Sequence, residues 1–161
     1  MEEQTAPSRR KCGEHDPRFI LFGGEEGLFG SKRYVADLLA KERARIRAVV
    51  NMDMIGTLNA PTWNVLLESA PLSQGVIDGL SEAATSYTQL GVETSLHPYA
   101  RDHVPFIGAE IPAVLTIEGA DSTNGNIHSG ADTIDHVNYD FTLEIRRLNV
   151  ASLAGRAALA S

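Results

Sequence analysis

The chain has 161 residues, 43% of them hydrophobic and 22% charged, the profile of an ordinary globular domain long enough to bury a core. A net charge of −7 excludes nucleic acid and anionic membranes as default partners, and no apolar run reaches the ~20 residues that cross a bilayer. Cys12 is the only cysteine, so an internal disulfide and a cysteine-based zinc site are both excluded.

Residues 1–16 read as a loose leader, polar and charged, with no apolar stretch of signal-peptide type. A chain that truly starts at Met1 is expected in the cytoplasm; a longer parent chain would be secreted or periplasmic. From Pro17, Phe19 to Phe22 is an unbroken apolar run that predicts a strand buried on both faces, ended by Gly23-Gly24. Ser31 is placed to cap a helix whose apolar face is Tyr34, Val35, Leu38 and Leu39. Ile46 to Asn51 and Trp63 to Leu67 predict two further strands. Pro71-Leu72-Ser73 opens a helix with Val76, Ile77, Leu80, Ala83, Ala84 and Tyr87 on one stripe, and Gly91 marks its stop. Val92 to Leu96 and Ala113 to Ile117 are strands four and five. A polar loop spans Ala120 to Asp135, and a last helix runs from about Thr142 to Ala160. This alternation predicts an α/β fold with a central mixed, mostly parallel sheet flanked by helices.

Three of these strands are followed by acidic or histidine residues: Glu25 and Glu26, then Asp53, then His128. Ligand sites in open α/β sheets lie beyond the C-terminal ends of strands, so parallel neighbours would bring the four together. Carboxylates and imidazole are natural zinc ligands, and of two adjacent glutamates one can hold a metal while the other takes a proton from water. Taken singly, Glu25-Glu26 also fits a solvated turn, Asp53 a helix cap and His128 an ordinary loop histidine. Glu68, His97 and His136 read as structural or surface residues.

Phe19-Ile20-Leu21-Phe22-Gly23-Gly24-Glu25-Glu26-Gly27-Leu28-Phe29-Gly30-Ser31 resembles the signature of metallopeptidase family twenty-eight, the co-catalytic zinc aminopeptidases and their glutamate carboxypeptidase and glutaminyl cyclase relatives. Asn51 to Gly56, Asp102 to Phe106, Ile111 to Gly119 and Asn126 to Thr133 resemble its later motifs, in order, so residues 17–161 read as the C-terminal part of a zinc-peptidase catalytic domain. The resemblance implies Glu25 as general acid/base, Glu26 and His128 as ligands of one zinc, and Asp53 as a ligand of the other. It implies Asp102 and His103 as shapers of the pocket for the substrate's free amino end. The implied reaction is removal of N-terminal residues from peptides.

The departures are specific. The family's first two ligands, a histidine two residues before an aspartate and a bridging aspartate, precede its double glutamate; neither motif is in this sequence. The strands and helix that carry them are missing too. The family expects two zinc ions, but these residues predict at most one weak site. The Glu25-Glu26-Gly27 turn is one residue shorter than usual, and Arg101 stands where the family commonly has serine. Three readings follow: an aminopeptidase incomplete in this chain, a non-catalytic truncated remnant or binding module, and a glutaminyl-cyclase-like transferase. The partners expected are a peptide substrate and either a homo-oligomer or a complementing chain, with no nucleic acid and no membrane.

Overall fold

The computed structural model describes residues 17–158, so the expected leader lies outside the described residues. The fold is arranged about one strand, Ala113–Glu118, whose six residues are all buried. A run of this kind needs neighbours on both sides to satisfy its backbone and both faces. In chain order the strands are β1 (Val49–Met52), β2 (Asn64–Glu68), β3 (Gly91–Ser95) and β4 (Ala113–Glu118). β4 pairs with β1 in parallel, Val49 opposite Ala113, and with β2 antiparallel, Leu66 opposite Ile117. β3 extends the sheet, parallel to β2. The order β1-β4-β2-β3, with two of three pairings parallel, is the mixed, mostly parallel sheet expected from the sequence.

The helices are α1 (Phe29–Asp37), α2 (Ala40–Arg43), α3 (Gln74–Tyr87), α4 (Val104–Gly108) and α5 (Tyr139–Ala158). Alternate residues of a strand face opposite sides, so β4 feeds two cores. On one face Val114 joins Val65 and Leu67 under α3 and α5, where Val76, Ile77, Leu80, Phe141, Ile145 and Leu148 meet. On the other, Ala113 and Val49 pack against Val35 of α1 and Phe106 and Ile111 around α4. Polar groups inside are matched: Thr116 of β4 hydrogen-bonds Asn149 of α5, and Ser69 and Ser73 both donate to the Ala113 carbonyl. Gly119 follows β4 where a Cβ would come within 2.9 Å of the Asn64 carbonyl oxygen, so only glycine lets the chain leave the sheet there.

Several expectations need correction. Phe19 to Phe22 forms no strand: Phe19 and Leu21 are exposed, and only Phe22 packs inward, against Tyr34 and Phe106. The run has strand composition, but no described strand lies beside it, and β1 keeps an open edge. Ser31 is not a cap but a buried residue inside α1, its hydroxyl donating to the Leu28 carbonyl. The helix starts earlier because the Phe29 and Gly30 amides find the carbonyls of Gly24 and Gly23. Leu39 and Tyr87 are exposed rather than on buried faces. Gly91 opens β3 instead of stopping α3, which ends at Tyr87. No described helix is long and apolar enough to cross a membrane.

Candidate functional site

β1 and β4, parallel neighbours, end at one edge of the sheet. Asp53 follows β1, its amide donating to the Thr116 carbonyl at 3.4 Å. His128 is carried by the loop after β4. Both loops are held by Glu118, the last residue of β4, which is buried. Its carboxylate accepts from the Thr57 amide at 2.6 Å, Asn59 Nδ2 at 3.1 Å and Asn124 Nδ2 at 3.0 Å. Three donors make the burial of that acid tolerable and tie the loop after β1 to the loop bearing His128. Sequence reasoning missed Glu118; its signal was an acid ending an otherwise apolar strand.

Glu25 and Glu26 stand on a single 3-10 turn, Glu25–Gly27, entered through Gly24 in the left-handed region at φ 68°. Their side chains go different ways. Glu26 Oε1 lies 2.6 Å from His128 Nδ1, with both side chains largely in solvent. His128 itself has φ 57°, a left-handed conformation that costs a non-glycine residue about 1–3 kcal/mol and often marks a working position. Glu25 turns toward Asp53 and Arg101, and its buried Oε1 accepts no hydrogen bond among the described residues. Burial, then the Asp53 charge, raise the Glu25 pKa above the ordinary carboxylate value, against the opposing pull of Arg101.

Arg101 links what the sequence kept apart. Its Nε lies 3.1 Å from Asp53 Oδ2, its Nη1 3.5 Å from Glu25 Oε1 and its Nη2 3.3 Å from Met54 Sδ. Asp102 is buried, with Oδ1 unpaired. His103 is wholly buried; neither ring nitrogen makes a hydrogen bond among the described residues, and Nε2 stands 3.7 Å from Glu68 Oε1. Glu68 is thus a neighbour of this region, its Oε1 accepting from the Tyr99 amide.

The four residues expected together therefore form two groupings, Glu26 with His128 and Glu25 with Asp53 through Arg101, and Glu25 and Glu26 stand on a 3-10 turn rather than at a strand end. Catalytic zinc takes three protein ligands and a water. Among the described residues no cluster of three or more histidine, cysteine, aspartate or glutamate side chains could hold a metal ion. Glu26 and His128 supply two adjacent donors, so the described residues fall short of a complete zinc site.

Residues 3–153 match Peptidase family M28. The chain belongs to this family. It is 34% identical over 148 residues to aminopeptidase YwaD of Bacillus subtilis, covering 85% of this chain and 31% of that protein. Over 110 residues it is 38% identical to leupeptin-inactivating enzyme 1 of Streptomyces exfoliatus, covering 66% of this chain and 23% of that protein. The solved structure of BSAP, a zinc aminopeptidase from Bacillus subtilis, superposes with a TM-score of 0.72 at 28% identity, covering 84% of this chain and 34% of that one. The LapA aminopeptidase of Legionella pneumophila gives 0.70 at 26% identity, covering 83% of this chain and 38% of that one. A glutaminyl cyclase from an Acidobacteriales bacterium shares the fold, with a TM-score of 0.61 at 21% identity. The chain spans between 23% and 38% of the length of these aminopeptidase relatives.

Proposed function

We propose that this chain is the C-terminal portion of a zinc aminopeptidase catalytic domain and supplies one half of its active site. Glu26 and His128 are the ligands it offers one zinc ion, and Asp53 the ligand it offers a second. The observation that carries this reading is the 2.6 Å contact between Glu26 and His128, made by two loops more than a hundred residues apart in sequence. Glu25 is the acid/base: its carboxylate would take a proton from water and hand it to the departing amine, and burial and the Asp53 charge, which raise its pKa, favour its holding that proton between the two transfers. Asp102 and His103 shape the pocket for the peptide's amino end, with buried His103 acting as a positioning residue beneath Asp102. The further donors would come from outside the described residues: the rest of a longer chain, a complementing chain or a second copy.

Zinc titration of the purified chain by calorimetry tests the assignment. One weak site is expected, lost on His128→Ala. The chain alone is expected to release no N-terminal residue from a peptide panel. Mixing with a polypeptide that carries the family's upstream histidine and aspartate motifs is expected to restore release, and Glu25→Gln to abolish it. A chain that binds no zinc is instead an inert remnant, and one specific observation favours that second reading: an arginine already sits between Glu25 and Asp53.

A further inference from the structure

Glu25 and Asp53 bring two carboxylates to one side of the site, both within 3.5 Å of a single guanidinium. Two negative charges so placed repel unless a cation lies between them. The chain provides that cation itself. Arg101 reaches Asp53 through Nε, Glu25 through Nη1 and the Met54 sulfur through Nη2, at 3.1, 3.5 and 3.3 Å. All three guanidinium nitrogens are engaged, and the side chain is only 19% exposed, so the contacts are made largely out of bulk water, where a planar fork binds carboxylates well.

We propose that Arg101 is a built-in counter-cation that occupies the charge position between Glu25 and Asp53 and competes with divalent metal for Asp53. A tethered guanidinium is present at high effective concentration whatever the metal concentration outside. It also has no deprotonated state at ordinary pH, so acid or base does not release it. At rest Asp53 is therefore engaged, and a metal ion reaches it only by displacing Arg101. The proposal rests on the half-site reading solely for naming Asp53 as a ligand; the three contacts stand without it.

The test is titration of zinc chloride into the full chain, its Arg101→Gln variant and the Arg101→Gln/Asp53→Asn double variant, followed by calorimetry. Arg101→Gln is expected to bind zinc about tenfold tighter than the parent, or to gain a binding step the parent lacks, and Asp53→Asn to remove that gain. Without metal, Arg101→Gln is expected to melt about 2–4 °C lower, because two carboxylates are left facing each other, and zinc is expected to recover the loss. Superimposable titrations of the parent and Arg101→Gln overturn the proposal, as does a gain that survives Asp53→Asn. If Arg101→Gln does not fold, Arg101→Met removes the charge while keeping much of the side-chain length, and a zinc affinity equal to the parent's overturns the proposal equally. His128→Ala in the parent reads the half-site separately: zinc binding indifferent to it sinks that reading, while the Asp53-dependent gain still decides the role of Arg101.

Discussion

Burial strips the His103 imidazole of its charge: desolvation, then the nearby Arg101, push its pKa down to about 4 from 6.5. Burial also raises Glu68, so both members of the 3.7 Å contact are driven toward neutrality and gain little as an ion pair. Between pH 6.5 and about 4 the unfolded histidine binds a proton that the folded one does not, so its contribution to stability is complete above pH 6.5 and is lost as pH falls toward 4. Glu68 works with the opposite sign, which is why a variant comparison is needed. The urea stability of the parent minus that of His103→Gln is expected to fall by about 2 kcal/mol between pH 7 and pH 4.5; parallel curves would show that the ring is not held neutral. At this scale the sequence picked out Glu25, Glu26 and Asp53 as acids soon after apolar runs and His128 from the loop after the last strand, and the structure puts Glu26 beside His128 and Arg101 beside Glu25 and Asp53. It hid the linkers. Arg101 meets Glu25 and Asp53 across 76 and 48 residues, and Glu118 meets Thr57 across 61. No local pattern encodes such distances.

The elements that could be read were those with a long period and their own core. In α3 the 3.6-residue stripe correctly placed Val76, Ile77, Leu80, Ala83 and Ala84 inside, yet Tyr87, one step further, lies in solvent at the rim of an open groove that it lines with Leu143, Arg146, Arg147 and Val150 of α5. Leu80→Ala should therefore cost about 2–5 kcal/mol of urea stability, and Tyr87→Ala less than about 0.5. Comparable losses at the two positions would mean the stripe continues to Tyr87 after all. The α4 helix went unread because it is five residues long and carries Pro105, although proline is at home in a first helical turn. The Phe19 to Phe22 run was misread for the opposite reason. Strand composition describes what a segment can do beside a partner, and the described residues offer it none.

As a whole, the described residues form a sheet with one open side. β1 has no neighbour on its outer edge among the described residues, and Phe19, Leu21, Phe29 and Met52 are exposed. Open edges and clustered apolar side chains favour association. Sedimentation velocity should show self-association rising with concentration, reduced in a Phe19→Ser/Leu21→Ser variant whose melting temperature is unchanged. A fall in melting temperature without loss of association would place these side chains in the fold rather than on its surface. The sheet class was legible from alternating strands and helices, whereas the order β1-β4-β2-β3 was not, since the last strand made inserts between two earlier ones.

That insertion has a temporal side. β1 ends at Met52 and β2 at Glu68, but neither meets its shared partner until β4, Ala113–Glu118, has been synthesised. At ~5–20 residues per second, β1 waits roughly 3–13 s on the ribosome without its partner strand. During that interval its amides and carbonyls are open to any extended segment nearby. The growing chain is thus most vulnerable before β4 exists, when β1 has both edges open rather than one, and a chaperone that shields residues 49–52 would act most on nascent protein.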